Sequence, residues 1–444
     1  MNFKEEYNAK LCTPEEAVKL VKSGDWVDYI TCTAFPATLD AALAGRKDEL
    51  ENVKIRGNMI AGPMMVVEKD PLMEHFVYSS WHFSGYERKL WQEGKIFFTP
   101  MSFRNLGWYY KEHLDVDVAM ISVSPMDKHG YFSFGGVIGM AWCVLSQAKK
   151  IILEVNEAVP RMHGICHNAI HISQVDAVVD CGRRELMEIA PPPVGETDKV
   201  IAENVLPYIE DGATLQLGIG SMPNALGKLI ADSDLRDLGM HTELCSNGFL
   251  DLYKAGKLTN ARKTLLPGQG VTGFVVGTRE LYDWVDDNPS IIGAPIGYVN
   301  DPAVISQNDK LISINACLNV DLYGQVSAES VGTRHISGSG GQLDFVEGAI
   351  RSKGGKSFLC MSSSFTDGSG KMHSRIVPKF SGEIITTPRS LSCYIATEYG
   401  VACMAGKSTW QRAEELISIA HPDFRDELIK AAEAQHLWLP SNKR

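Results

Sequence analysis

Long apolar segments and an excess of positive charge are both missing from this sequence. No run of about eighteen apolar residues occurs, so we expect no membrane-spanning helix. The formal net charge is −11, which argues against a surface that binds nucleic acid. The N-terminal segment MNFKEEYNAK is charged and has no apolar core like that of a secretory signal. We therefore expect a cytoplasmic protein that binds neither nucleic acid nor a membrane.

Paired cysteines and complete sets of metal ligands are also missing. The ten cysteines are scattered without any Cys-x-x-Cys pair, and most lie in apolar stretches, which favours reduced thiols in the core. His163, His167 and His171 recur at every fourth position with Cys166 among them, a spacing that a helical zinc site would use. The alternation of apolar and polar residues at 170–173 favours loop and strand instead. We expect no metal.

The chain is long, and parts of it recur. Its 444 residues exceed the size of one ordinary core, which predicts two or three domains. Gly24 recurs as Gly212 at an offset of 188 (212 − 24), and a following proline recurs at an offset of 187 (223 − 36). Gly130 recurs as Gly324 at an offset of 194 (324 − 130). These offsets predict two copies of one α/β domain. Chance recurrence of helix–turn–strand units is the alternative.

A proline-rich segment separates the two copies. The run Pro191–Pro193 cannot be helical and predicts an extended linker. We therefore predict an N-terminal domain over residues 1–190 and a C-terminal domain over residues 196–444. Strand-like runs such as Val116–Val123 alternate with helical ones, which predicts mostly parallel sheets.

The stretch from Thr214 to Asp251 combines a strand, a glycine turn, a helix and a second strand. The first strand is short and apolar, as a strand buried on both faces should be. The turn Gly218-Ile219-Gly220-Ser221-Met222 follows it, and Asn224–Ile230 is predicted to be helical. A glycine turn at the N-terminus of a helix is suited to binding a phosphate.

A nicotinamide-dependent dehydrogenase would use a similar turn. Its Gly-x-Gly-x-x-Gly motif binds a dinucleotide, but Pro223 replaces the third glycine here. No acidic residue stands about twenty residues further on to bind the ribose, unless Glu243 or Asp251 does so. NAD binding therefore stays a minor alternative.

A single carboxylate, Glu243, ends the second strand in the segment His241-Thr242-Glu243. Ligands of parallel α/β sheets bind at the carboxyl ends of strands, so Glu243 is predicted to face the glycine turn. An ionised glutamate needs no general base to attack an activated carbonyl group. A glutamate held in a salt bridge at a strand end is the structural alternative.

Two other glycine-rich segments are candidates for anion binding. Gly338-Ser339-Gly340-Gly341 precedes a predicted helix start and is suited to presenting backbone N–H groups to an oxyanion. Gly368-Ser369-Gly370-Lys371 adds a cation that would meet a phosphate. A plain flexible turn and a solvated lysine are the alternatives.

Taken together, these motifs resemble those of the acetyl-CoA hydrolase/transferase family, which is also called the family I CoA-transferases. Within this family, the chain most resembles the butyryl-CoA:acetate and 4-hydroxybutyrate CoA-transferases. The resemblance runs almost from end to end. It is carried by Ile121-Ser-Val-Ser-Pro-Met-Asp-Lys-His-Gly130, Glu154-Val-Asn156, Leu215-Gln-Leu-Gly-Ile-Gly220, His241-Thr-Glu243, Ile314-Asn-Ala-Cys-Leu318, Ser337-Gly-Ser-Gly-Gly341 and Thr397-Glu-Tyr-Gly400.

The resemblance implies two similar CoA-transferase-type α/β domains with mostly parallel sheets, related by internal duplication. It also implies that Glu243 is a nucleophile that carries CoA as a glutamyl-CoA thioester, without a prosthetic group or a metal. The residues implied to contact CoA are Gly218, Ile219, Gly220, Ser221, Met222, Leu318 and Gly341, and we add Lys371 as a candidate partner of a phosphate.

The segment Ser80–Arg88 resembles that of the butyryl-CoA enzymes, and Thr31 replaces a histidine of a 4-hydroxybutyrate relative. We therefore expect transfer of CoA between butyryl-CoA and acetate, giving acetyl-CoA and butyrate, by a homo-oligomer. The alternatives are 4-hydroxybutyrate or propionate transfer, an acyl-CoA hydrolase, and a non-catalytic CoA-binding protein.

Overall fold

Both helices and strands occur throughout the part of the chain that the structure describes. The computed structural model describes residues 3–190 and 192–438. Pro191 of the predicted linker lies outside the described residues, as do residues 1–2 and 439–444 of the two predicted domains. Residues 181–190 and 192–195 form no helix or strand, in agreement with the extended linker that the prolines predict.

Up to residue 190 the helices are α1 (Phe3–Lys10), α2 (Pro14–Ala17), α3 (Ala37–Ala44), α4 (Met65–Glu68), α5 (Gly85–Gln92), α6 (Leu106–Glu112) and α7 (Ile138–Leu145). The strands there are β1 (Trp26–Asp28), β2 (Val53–Gly57), β3 (Phe76–Ser80), β4 (Phe97–Phe98), β5 (Val118–Val123), β6 (Tyr131–Ser133), β7 (Lys150–Val155), β8 (His163–Gly164), β9 (Ala169–His171) and β10 (Ala177–Asp180).

Beyond residue 192 the helices are α8 (Glu196–Val205), α9 (Ser221–Asp232), α10 (Asn247–Lys254), α11 (Arg279–Val285), α12 (Ile296–Val299), α13 (Pro302–Ile305), α14 (Gln342–Arg351), α15 (Thr409–Ser418) and α16 (Pro422–Ala434). The strands are β11 (Thr214–Leu217), β12 (Gly239–Cys245), β13 (Gly270–Val275), β14 (Ile291–Gly293), β15 (Leu311–Ala316), β16 (Asn319–Asp321), β17 (Val326–Ser327), β18 (Ser330–Val331), β19 (Arg334–His335), β20 (Lys356–Cys360), β21 (Ser364–Thr366), β22 (Met372–Ser374), β23 (Ile376–Val377), β24 (Tyr394–Thr397) and β25 (Gly400–Cys403).

The chain divides into two compact units. Unit one comprises Met1–Ala190, Glu243–Cys245 and Val271–Val299, and unit two comprises Pro191–Thr242, Ser246–Gly270 and Asn300–Arg444. Strand β12 therefore begins in unit two and ends in unit one. The predicted domains, 1–190 and 196–444, and the two units have a border near residue 190 in common. Each predicted domain is one continuous segment, whereas each unit consists of three segments. The domain bounds stay a prediction.

Unit one is built on a parallel sheet in the order β10-β7-β5-β1-β2-β3-β4. Every residue of β5 is buried, as is every residue of β7 after Lys150, because helices cover a parallel sheet on both faces. The core of this unit packs apolar side chains of the sheet, such as Val27 and Ile55, against those of the surrounding helices, such as Leu43 and Leu90.

Unit two repeats this order. Its strands follow β25-β24-β20-β15-β11-β12, with β25 antiparallel to β24 and the other pairs parallel. The series β24-β20-β15-β11-β12 matches β10-β7-β5-β1-β2 of unit one strand for strand. Strands β1 and β11 begin at residues 26 and 214, an offset of 188 (214 − 26) that equals the glycine offset in the sequence. The topology thus agrees with an internal duplication.

Membrane-spanning helices and metal sites were both considered from the sequence. No helix among the described residues is both long and apolar enough to cross a membrane. His163 and His171 lie in strands β8 and β9, and residues 3–190 and 192–438 contain no group of three or more His, Cys, Asp or Glu side chains that could hold a metal ion.

Candidate functional site

The glycine turn of unit two joins β11 to α9. All four residues of β11 are buried, and Gly220 then has a φ of 139°, which side-chain-bearing residues rarely adopt. Helix α9 begins at Ser221, three residues before the predicted start at Asn224 (224 − 221). The predicted first residue was wrong, whereas Pro223 does lie in the first turn, where its missing N–H costs no hydrogen bond.

A buried polar network lies under this turn. The Ser313 hydroxyl donates to Oε1 of Gln216 at 2.7 Å, and Nε2 of Gln216 donates to Oδ1 of Asn315 at 3.0 Å. The Asn315 amide donates in turn to Oγ of Ser313 at 3.0 Å. A Cβ atom at Gly218 would lie 3.3 Å from Oδ1 of Asn315, so glycine lets the turn approach the network closely.

A cavity of about 470 Å³ opens at the turn, within the size range of small-molecule sites. Four of the residues predicted to contact CoA line it, namely Gly220, Ser221, Met222 and Leu318. The other residues that line it are Gly195, Thr197, Asp198, Ile201, Pro223, Ala316, Cys317, Cys360, Met361, Ser362, Ser364 and Arg375. Gly218, Ile219, Gly341 and Lys371 are not among the lining residues.

The cavity wall includes a cation that the sequence analysis did not identify. Arg375 follows β22 and lines the cavity. Its Nη1 donates to the Leu318 carbonyl oxygen at 3.0 Å, and its Nε donates to Oγ of Ser362 at 3.2 Å. No motif surrounds Arg375, and its only sequence signal is its position a few residues after the glycine turn at 368–371.

Lys371 lies at the tip of the hairpin formed by β21 and β22. It is exposed, and its backbone N–H donates to Oδ1 of Asp367 at 3.1 Å. Hydrogen bonds from Ser369 and His373 hold the pKa of Asp367 well below its usual range. These contacts close the turn and leave the Lys371 side chain at the surface.

The second glycine-rich segment precedes a helix, as predicted. Gly340 has a φ of 53°, and Gly341 is the N-cap residue of α14. The Gly341 carbonyl oxygen accepts the first-turn N–H of Phe345 at 3.0 Å. This segment is therefore a glycine-capped helix start in unit two.

The predicted nucleophile, Glu243, lies in the last part of β12, within unit one. It is half-buried, and its carbonyl oxygen accepts the Thr272 hydroxyl at 3.2 Å. A Cβ atom at Gly273 would lie 3.0 Å from that oxygen, so a larger residue there would push against it. Strand β13 thus fixes the backbone from which the Glu243 side chain projects.

Strand register relates the glycine turn and Glu243 along the chain. In unit two, β11 and β12 run parallel, with Leu215 opposite Met240. Gly218 follows Leu215 by three residues (218 − 215), and Glu243 follows Met240 by three (243 − 240). Gly218, just after β11, and Glu243, still within β12, therefore stand the same number of residues beyond this pair of opposed residues.

Comparison with family models agrees with these motifs. The N-terminal domain model of acetyl-CoA hydrolase/transferase matches residues 1–184, and its C-terminal domain model matches residues 277–432. The chain belongs to the acetyl-CoA hydrolase/transferase family. The family predicted from the sequence motifs is thereby confirmed.

Relatives within this family match the whole chain. The butyryl-CoA:acetate CoA-transferase of Anaerostipes caccae is 50% identical over 446 aligned residues, which cover 100% of both chains. The probable butyrate:acetyl-CoA coenzyme A-transferase of Syntrophomonas wolfei is 47% identical, over 99% of this chain and 98% of its own. These relatives support an enzyme of the transferase class.

Solved structures share the fold. RipA from Yersinia pestis superposes with a TM-score of 0.92 at 37% identity, covering 99% of this chain and 100% of its own. A 4-hydroxybutyrate CoA-transferase from Porphyromonas gingivalis gives a TM-score of 0.79 at 32% identity, covering 98% of this chain and 100% of its own. These superpositions agree with the two-domain CoA-transferase fold predicted from the sequence, whose largely parallel sheets this chain has.

Proposed function

We propose that this family member is a butyryl-CoA:acetate CoA-transferase that works through a glutamyl-CoA thioester on Glu243. The observation that carries the proposal is the 50% identity, over the whole chain, to the Anaerostipes caccae enzyme of that name. The cavity beside the glycine turn supports it, because four of the residues predicted to contact CoA line that cavity.

The proposed reaction moves CoA in two half-reactions. The Glu243 carboxylate attacks the carbonyl carbon of butyryl-CoA, and the C–S bond breaks to give a mixed anhydride and CoA thiolate. The thiolate then attacks the glutamyl carbonyl carbon, which releases butyrate and leaves a glutamyl-CoA thioester. Acetate then enters, and the same steps run in reverse to give acetyl-CoA and the free Glu243 carboxylate. Because the free energy of the thioester is kept in the mixed anhydride and in the glutamyl-CoA thioester, the exchange needs no separate energy source.

The binding residues follow from the same proposal. Gly220, Ser221, Met222 and Leu318, which line the cavity, would contact CoA, and the close backbone approach at Gly220 suits an extended ligand. Gly218, Ile219, Gly341 and Lys371 stay predicted CoA contacts. A Gly341 N–H that donates to the developing oxyanion would stabilise the tetrahedral intermediate.

We also propose the cellular setting predicted from the sequence. All ten cysteines are free thiols, which fits a reducing compartment such as the cytoplasm. The proposed partners are the small-molecule substrates and further copies of the same chain, and we propose no role for nucleic acid or membrane.

Initial-rate kinetics test this function. With butyryl-CoA and acetate we expect acetyl-CoA formation and parallel double-reciprocal lines, because a covalent intermediate separates the two substrates. Release of free CoA without acetate at the full rate would instead identify a hydrolase. A kcat/KM for 4-hydroxybutyryl-CoA well above that for butyryl-CoA would show that the acyl preference is wrong.

A further inference from the structure

The cation in the cavity wall, Arg375, contacts neutral groups. The guanidinium of Arg375 is held by the neutral Leu318 carbonyl and Ser362 hydroxyl groups, and it lies 4.8 Å from the centroid of the Phe365 ring. No carboxylate among the described residues lies within ion-pair distance of it. The acid that acts on it from farther away, Glu398, accepts the Ser363 N–H at 2.8 Å.

Arg375 is also partly removed from water. Burial lowers the pKa of its guanidinium below the usual range, although the nearby Glu398 and Cys317 act in the opposite direction. Arginine remains charged in proteins even so. A partly desolvated cation without an ion-pair partner is costly, and an anionic ligand in the cavity would relieve that cost.

The remaining donors of Arg375 are available to such a ligand. A guanidinium has more N–H donors than its two protein acceptors use. The carbonyl and the hydroxyl fix the plane of the group, and a planar fork of donors matches the oxygens of a phosphate. The first residues of α9, Ser221 and Met222, line the same cavity and add the positive end of a helix dipole.

We propose that Arg375 binds a phosphate group of the CoA nucleotide. The assignment rests on the proposed function, because it takes acyl-CoA as the occupant of the cavity. Either the 3′-phosphate or the diphosphate of CoA would supply the same chemistry. Arg375, rather than the exposed Lys371 at the hairpin tip, thereby becomes the main phosphate-binding cation of unit two.

Steady-state kinetics on Arg375 variants test the proposal. Loss of a charge-assisted hydrogen bond is expected to raise the KM for butyryl-CoA by about ten- to a hundredfold in Arg375→Gln, with little change in kcat. Arg375→Lys should recover part of the loss, because it keeps the charge but not the fork. Lys379→Gln is the matched control: it removes an exposed charge outside the cavity lining and should leave the KM unchanged.

Truncated substrates identify the group that is bound. With butyryl-pantetheine, which lacks every phosphate of the nucleotide, wild type and Arg375→Gln should have the same KM. Butyryl-dephospho-CoA, which lacks only the 3′-phosphate, separates the two sources. If Arg375→Gln loses its effect on this substrate, the 3′-phosphate is the partner, and if the effect persists, the diphosphate is. Both outcomes support the proposal.

An equal rise in KM for butyryl-CoA and butyryl-pantetheine would overturn it, since the contact would then not involve a phosphate. A phosphate-dependent loss in Lys371→Gln, with none in Arg375→Gln, would overturn it as well. Calorimetric titration of CoA into wild type and Arg375→Lys provides a second readout if Arg375→Gln fails to fold, and a weakening of about threefold or more is expected.

The two proposals fail separately in these experiments. A protein that binds CoA through Arg375 but transfers no CoA from butyryl-CoA to acetate would refute the proposed reaction and keep the phosphate site. Full transferase activity with unchanged CoA affinity in the Arg375 variants would refute the phosphate site and keep the reaction.

Discussion

At the scale of the residue, a buried carboxyl group in unit one links stability to pH. Glu87 accepts the Tyr78 hydroxyl at 2.7 Å and the backbone N–H groups of Ser84 and Ile60 at 2.8 and 3.2 Å. Burial nevertheless dominates and raises its pKa to about 7. The folded state therefore holds a proton that the unfolded chain releases near pH 4.

The sign of the effect follows from this difference. Because the pKa is raised on folding, the contribution of Glu87 to the free energy of unfolding is complete below about pH 4 and is lost as the pH rises through about 7. Relative to Glu87→Gln, wild type should lose about 2–3 kcal/mol between roughly pH 5 and pH 8, as measured by urea unfolding. Exposed Glu74, changed to glutamine, is the control. Equal slopes for wild type and Glu87→Gln would contradict the prediction.

At the scale of the element, the glycine turn leads directly into α9, and the geometry of this junction depends on Gly220. A φ of 139° is strained for any residue with a side chain. Gly220→Ala should lower the free energy of unfolding by about 1–3 kcal/mol, as measured by thermal unfolding. It should also weaken CoA binding, as measured by calorimetric titration.

Helix α9 supplies the control for this prediction. A Cβ atom at Gly227 would make only ordinary contact, 3.6 Å from Cα of Gly248, and alanine is the better helix former. Gly227→Ala should therefore stabilise the protein by about 0.5–1 kcal/mol. Equal effects of the two substitutions would show that the turn does not require glycine.

Local chemistry explains which elements the sequence could predict. Glycines and prolines mark turns by their own backbone preferences, so the turn at 218–222 and the helix after Gly341 were predicted. The start of α9 was predicted three residues late (224 − 221), because a proline that fits the first turn of a helix does not fix which residue is the first.

Contacts between distant residues explain what the sequence could not predict. Arg375 owes its place in the cavity to Leu318, 57 residues away, and to Ser362, 13 residues away. No local pattern announces such pairings, and a lone arginine is ordinarily solvated. The predicted CoA contacts came instead from motifs that the family resemblance identified.

At the scale of the whole molecule, three recurring glycine and proline positions predicted a duplication that the repeated strand order supports. The division into units was harder to foresee, because Glu243–Cys245 and Val271–Val299 belong to unit one although they follow the proline linker in sequence. This division places the proposed nucleophile in one unit and the proposed CoA cavity in the other.

The most direct test of the Glu243 mechanism is the intact mass of the protein after mixing with butyryl-CoA and no acceptor acid. We expect a covalent CoA adduct that acetate removes, that borohydride traps at Glu243, and that Glu243→Gln does not form. Wild-type protein that makes acetyl-CoA at its full rate without an adduct, or with an adduct on another residue, would contradict the mechanism.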